Sequence, residues 1–139
     1  MEKVKLRPAT LEDARMLLAW RNDEATRAAS VGTDAVSWQD HVDWLRASLE
    51  NPRRKLLIAE AGQPVGTVRI DYGAETELSW TVAPDARGQG HGKAMVLAAM
   101  PEGPVIAHIK RGNVASQRIA EAAGFTLAKD GDLQRWERR

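Results

Sequence analysis

The sequence predicts an α/β (α+β) fold, a mixed central sheet with helices on both faces, in a single domain over residues 1–139. Three observations predict it. Strand-like and helix-like runs follow one another in the order β-α-α-β-β-β-α-β-α-β-β. The three middle strand-like runs are joined by tight turns, as in an antiparallel meander. A glycine-rich segment, Arg87-Gly88-Gln89-Gly90-His91-Gly92-Lys93, then leads from the last of these strands into a helix.

Each element has its own signal. Residues 4–8 alternate like an edge strand, where Pro8 is tolerated. Thr10 followed by Asp13 reads as a helix cap, with Leu11, Ala14, Leu17 and Leu18 on one apolar face. Arg21-Asn22-Asp23 breaks that helix, and a short polar stretch of helical character runs to about Ser30, before a loop over 31–34. Ser37 with Asp40 opens a second capped helix, whose apolar side is Trp38, Val42, Leu45 and Leu49 and whose end is Asn51-Pro52. Strands over 55–60, 65–71 and 75–82 make the meander. Residues 94–100, rich in helix formers, stop at Pro101. An apolar strand over 105–109 follows, then a helix over 113–123 ended by Gly124, and a hairpin of 125–127 with 133–136 around Asp130-Gly131.

Composition excludes several classes of function. With no cysteine there is no disulfide, thiolate metal site or cysteine nucleophile. The 20 basic and 19 acidic residues are dispersed, so there is no basic stripe and no nucleic-acid partner is expected. No apolar run approaches the ~20 residues of a membrane span, and residues 1–5 lack a signal-peptide core. The expectation is a cytoplasmic protein without a membrane partner. No His/Asp/Glu cluster has metal-ligand spacing, so no metal is expected. Against one tyrosine and one phenylalanine there are five tryptophans, which makes the position of each tryptophan informative.

Glycines at a strand-to-helix junction let the backbone approach a ligand with free N–H groups pointing outward, an arrangement suited to phosphate. They also suit a plain tight turn. Two familiar phosphate loops fail on residues. The dinucleotide fingerprint needs G-x-G-x-x-G after the first strand of a βαβ unit, whereas here the glycines run G-x-G-x-G after the meander. A P-loop needs Ser or Thr after its lysine, and Lys93 is followed by Ala94.

The spacing Arg87-x-x-Gly90-x-Gly92, after a strand and Ala83-Pro84-Asp85, resembles the acetyl-CoA signature of the GNAT N-acetyltransferase superfamily. Asn113-x-x-Ser116, with Gly124-Phe125 starting eleven residues past Asn113, resembles that family's second conserved segment. The resemblance covers essentially the whole chain. It implies a GNAT-like fold and an enzyme that transfers acetyl from acetyl-CoA to a primary amine of a small molecule. It also places the CoA pyrophosphate on the backbone of Gly88, Gln89, Gly90, His91, Gly92 and Lys93, at the positive end of the following helix, with Arg87 and Lys93 adding charge. The backbone of Trp80, Thr81 and Val82 would meet the pantetheine arm and the thioester oxygen. Asn113 and Ser116 fall in the same donor site, and Asn113 also suits a helix cap.

An amine arrives protonated and attacks only when neutral, so a proton acceptor is needed, acting directly or through water. Family members often use a carboxylate on the strand before the signature. Counting back from Arg87, with one residue allowed for a bulge common there, gives Glu77, and Glu75 shares its face of the strand. The alternative for Glu77 is an ordinary solvated strand residue. Where many members carry a tyrosine that protonates the departing thiolate, this chain has Ala120. The imidazoles of His91 and His108 are given no role.

For the acceptor, Trp20-Arg21-Asn22 and His41 with Trp44 look like the subgroup that acetylates nucleotide-linked amino sugars or ribosomal-protein N-termini. Trp20 and Trp44 would stack on a base or sugar, Arg21 would meet phosphate, and His41 would assist proton transfer. The alternative is that both tryptophans and His41 are core. Arg69, Asp71 and Glu75 either rim the pocket or form cross-strand ion pairs. A homodimer is an expectation from the family. A CoA-binding module without catalysis is the rival reading, which Ala120 favours and Glu77 opposes.

Overall fold

The computed structural model describes residues 3–30 and 33–139. All strands join one seven-stranded sheet. In chain order they are β1 (Lys5–Pro8), β2 (Arg54–Glu60), β3 (Pro64–Asp71), β4 (Thr76–Val82), β5 (Val105–Lys110), β6 (Thr126–Lys129) and β7 (Leu133–Arg138). Their order across the sheet is β1-β2-β3-β4-β5-β7-β6, antiparallel everywhere except between β4 and β5. The helices are α1 (Ala14–Asn22), α2 (Glu24–Ala29), α3 (Trp38–Glu50), α4 (His91–Ala99) and α5 (Val114–Ala122). Part of the loop expected at 31–34 lies outside the described residues.

Alternation along the strands sorts the side chains onto two faces. On one, Gly66 and Val68 of β3 stand beside Val82 and Trp80 of β4, beneath α4 and α5. On the other, Arg69 and Asp71 stand beside Ser79 and Glu77, and α3 covers β2 there. The apolar centre of the molecule is Leu45, Ile58, Val68, Leu78, Met95 and Val105, all fully buried.

The meander, the Gly124 helix end and the final hairpin fold where the sequence places them. Asp13 accepts the Thr10 backbone N–H at 2.8 Å, as a cap should, and also takes Arg7 through both carboxylate oxygens at 2.8 and 2.9 Å. The Arg7 guanidinium holds the Asp13 carboxyl below the ordinary carboxylate range.

The helical faces differ from expectation. Leu11 sits in an exposed single turn before α1, and the buried stripe of α1 is Ala14, Leu17 and Trp20. In α3 the expected Trp38 and Leu49 are 48% and 37% exposed, whereas His41, Leu45 and Ser48 are buried. The reason is polar pairing: His41 Nε2–H donates to the Ala14 carbonyl at 2.9 Å, and Arg54 donates to Ser48 Oγ at 3.0 Å. A reading of apolar period alone scores both positions as solvent-facing. Finally, α4 begins at His91, not Ala94, so the last residues of the glycine segment are already helix.

Candidate functional site

β4 and β5 are paired over only Thr76–Val105 and Glu77–Ile106. Beyond Glu77 they part, while β4 stays paired with β3 up to Val82. The edge of β4 from Leu78 to Val82 that faces β5 therefore has no strand partner among the described residues, which leaves backbone groups along it without ladder hydrogen bonds. Trp80, Thr81 and Val82 lie on this edge, and the Trp80 indole N–H is buried without a hydrogen-bond partner among the described residues. The bulge expected in β4 is absent from its pairing with β3, whose register runs without a shift from Gly66–Val82 to Asp71–Glu77.

At the open end of this cleft the glycine segment forms a turn followed by α4. Gly88 and Gly90 have φ of +75° and +81°, and a Cβ at either would touch nothing within 4 Å. These two glycines serve backbone conformation and leave the surface bare. Gly92 serves packing: a Cβ there would collide with Ile119 of α5 and lie 3.3 Å from Val82. Gly90 is the N-cap, so the N–H groups of His91, Gly92 and Lys93 open the first turn of α4 unpaired. Gln89 reaches back to the Asp85 carbonyl at 3.4 Å, the His91 side chain is buried, and Lys93 is exposed beside the turn.

Arg87 points across the cleft to α2, donating to Asp23 at 2.7 Å and Thr26 at 2.8 Å. On the opposite wall Lys110 donates to the Ala28 carbonyl at 3.0 Å and Asn113 to the Ala29 carbonyl at 3.5 Å. α2 thus spans the parted strands. Asn113 also caps α5 by accepting the Ser116 N–H at 3.1 Å, which fixes both residues at the start of that helix.

On the floor, beneath the parting point, a cluster of charged groups shares the face of Glu77. Glu75 lies just before β4 and takes Arg135 of β7 at 2.9 Å, with Arg135 also bound to Glu137 at 2.7 Å. The Arg135 hydrogen bond holds the Glu75 carboxyl below its ordinary range. An ionised, guanidinium-bound carboxylate is a poor proton acceptor, so Glu75 is an ion-pair residue here and its expected catalytic part is set aside. Glu77 has no arginine partner among the described residues. Its Oε2 lies 3.2 Å from Nδ1 of His108 on β5. Sequence reasoning missed His108. The signal was in β5, where Val105, Ala107 and Ile109 are buried and His108 points to the other face, the face of Glu77.

The expected acceptor residues separate. Trp20 is 9% exposed and packs in the core. His41 is fully buried, with Nε2 on the Ala14 carbonyl and Nδ1 accepting from Arg21 at 3.1 Å. Neither is available as a stacking platform or a proton carrier. Asn22 is tied to the backbone of Val36 through both ends of its amide, at 2.8 and 2.9 Å. Trp44 is half-buried, stacked on His41 and covered by the Arg21 guanidinium 4.6 Å from its ring centroid. Arg21 is half-buried, without a carboxylate partner among the described residues. Burial, then the nearby Arg69 charge, lowers the pKa of its guanidinium. Asp71 takes Arg54 of the neighbouring strand at 2.6 Å, a cross-strand ion pair of the kind foreseen as one alternative, and Arg69 of its own strand at 2.9 Å.

The His41 environment makes stability pH-dependent. Burial, with the Arg21 charge adding to it, pushes the imidazole below its ordinary range, so the folded state binds its proton at lower pH than the unfolded chain does. The resulting stabilisation is present above the unfolded value of about 6.5 and is lost as pH falls towards the folded one, with a slope of at most about 1.4 kcal/mol per pH unit. Denaturant melts at pH 7.5 and 5.5 should show this loss in the wild type and a smaller one in His41→Phe; equal losses would remove His41 as its source.

Among the described residues no helix is long and apolar enough to cross a membrane, and no group of three or more acidic or histidine side chains is placed to hold a metal ion. No curated protein sequence matches the chain. Among solved structures, it superposes on the spermidine N-acetyltransferase of Vibrio cholerae in complex with CoA and spermine with a TM-score of 0.85, at 14% identity, covering 97% of this chain and 94% of that one. An acetyltransferase from Thermus thermophilus gives a TM-score of 0.83 at 25% identity over 99% of both chains. AAC(6')-Ib in complex with ribostamycin and coenzyme A gives 0.83 at 22% identity, over 99% of this chain and 93% of that one. The profile of the acetyltransferase (GNAT) domain matches residues 3–126, from before β1 to the start of β6, and so takes in the parted strands, the glycine turn and the α5 cap together. The chain belongs to the GNAT acetyltransferase family, and it is an acetyltransferase enzyme.

Proposed function

We propose that the chain, acting as one domain, transfers the acetyl group of acetyl-CoA to a primary amine of a small molecule, a nucleotide-linked amino sugar being the acceptor class. One observation carries the donor half: β4 leaves β5 immediately beyond Glu77, and the gap opens onto the bare Gly88–Gly90 turn and the first turn of α4. The residues present suit CoA. The turn and the unpaired N–H groups of residues 91–93 suit its pyrophosphate. The free edge of β4 and the orphaned Trp80 N–H suit the amides of its pantetheine arm. The CoA-bound relatives support the same assignment.

The acceptor then lies over the face that carries Glu77, whose negative charge attracts an ammonium group and promotes loss of its proton, directly or through a relay. At the far side of that face, Arg21 without a carboxylate among the described residues, together with Arg69, favours an acceptor that also carries phosphate.

The test is free-thiol release from acetyl-CoA with an amine panel that includes nucleotide-linked amino sugars, simple polyamines and peptide N-termini, beside the thermal shift given by CoA. Selective turnover of peptides would replace the amino-sugar assignment, and the absence of any shift with CoA would sink the donor half. In the same assay Gly90→Ala forces a side chain into a left-handed backbone, a strain of about 1–2 kcal/mol. CoA affinity should fall about tenfold, as a loss near 1.4 kcal/mol implies; unchanged affinity would detach the turn from the donor site.

A further inference from the structure

We propose that His108 is the proton relay of this acetyl transfer, its Nε2 taking protons from the acceptor amine while Glu77 positions the ring. The proposal rests on the acetyl-transfer reading given above. His108 stands two residues beyond Ile106, the last residue of β5 paired with β4, so it lies on the wall of the cleft opposite Glu77. The contact of 3.2 Å between Nδ1 and Glu77 Oε2 joins the two walls at the cleft floor. A carboxylate only accepts, so the tautomer that suits this contact carries its proton on Nδ1 and keeps the lone pair on Nε2. Each of the two side chains is 33% exposed, and Nε2 has no partner among the described residues, so it is open to a ligand.

The other charges around His108 are committed elsewhere. Glu75 beside β4 and Glu137 of β7 both pair with Arg135 of β7, and Lys110, on the same face of β5, donates to the Ala28 carbonyl. Glu77 is the carboxylate of this cluster left for the imidazole. A neutral imidazole accepts at one ring nitrogen while the other donates, which lets it take a proton from the amine and pass it on.

In the transfer, the ammonium gives one proton to Nε2, which releases it to water. The neutral nitrogen attacks the thioester carbonyl carbon; the N–C bond forms and the carbonyl π pair moves onto oxygen. As the tetrahedral species collapses, the C–S bond breaks and its electron pair leaves on sulfur. A second N–H proton passes to Nε2 and from there to the CoA thiolate. Ammonium and acetyl-CoA become amide, CoA thiol and one proton in water. The return of the second proton does the work of the acid absent at Ala120, a fully buried methyl in α5.

The test measures His108→Gln and His108→Ala, as full chains, from pH 6 to 10, with the amine that the wild type turns over best. The thermal shift given by CoA serves as the folding and donor-site control. We expect kcat/KM to fall about 100-fold at pH 7. The gap should narrow towards pH 10, where free amine is abundant, with the CoA shift unchanged. A His108→Gln variant with wild-type kcat/KM and pH profile overturns the assignment. An equal loss at every pH together with a reduced CoA shift also overturns it, since that marks a structural part only. A wild type that binds CoA but acetylates no amine overturns the acetyl-transfer reading and this relay with it, and is recognised because the unmutated chain is then silent.

Discussion

Glu77→Gln is expected to lower kcat about 100- to 1,000-fold with little change in melting temperature. The substitution keeps the size and hydrogen-bonding shape of the side chain and removes only its charge. Glu77 is partly exposed on β4, and its one side-chain ion-pair contact among the described residues is His108, so the fold has little to lose. The reaction loses more. The carboxylate attracts the ammonium group, and it orients the imidazole 3.2 Å away. The amide does neither, and its NH2 end can turn a donor towards the ring. Steady-state kinetics beside the CoA thermal shift separate the effects. Full activity would end any part for Glu77 in the chemistry, whereas a lost shift would mean that the substitution had disturbed the donor cleft.

Gly66→Val should produce the largest loss of stability, about 3 kcal/mol. At this length that corresponds to a fall of about 10 °C in Tm. Gly66 lies on central strand β3, under α4. A Cβ there would sit 2.6 Å from the Thr81 carbonyl oxygen and 2.7 Å from the Met95 sulfur. Met95 has rotamers to spare, but the Thr81 oxygen belongs to the backbone of β4 and cannot swing away. Relief therefore requires α4 to lift or β4 to shift. Either movement carries the glycine turn with it, so CoA affinity should fall together with Tm. A valine variant as stable as the wild type would show that α4 tolerates displacement. Stability lost with CoA affinity intact would show that helix and turn move independently.

Much of this fold is legible in the chain because its signals are local. The strands of the meander alternate, Gly124 sits where α5 needs a left-handed residue, and glycines cluster where β4 hands over to α4. The turn and helix start of the proposed donor side are legible for the same reason, being built from backbone that consecutive residues control. The face of α3 is not, because His41 and Ser48 are buried through hydrogen bonds to Ala14 and Arg54, and a hydropathy pattern has no term for a polar group satisfied by a distant partner. Aromatic character points Trp20 at the acceptor, yet it lies on the same stripe of α1 as Ala14 and Leu17 and packs where they do. Glu75 and Arg135 are 60 positions apart, and Glu77 meets His108 only through a parallel pairing that a helix separates in sequence. Such contacts follow from sheet order, which no local pattern contains.

That parallel pairing carries a mechanical meaning. Two residue pairs are all that stitch β1–β4 to β5–β7 within the sheet, and α2 adds a bridge through Arg87, Lys110 and Asn113. The sheet is two halves joined at one end of the cleft, with α2 laid across the other. A ligand that lies along the free edge of β4 and reaches the α5 side acts as a suture, and closing the seam also sets the distance between the Glu77 and His108 walls. The donor would then be part of the structure that the acceptor meets, which favours ordered binding with acetyl-CoA first and makes the spacing of the proton-handling pair a property of the complex rather than of the chain alone.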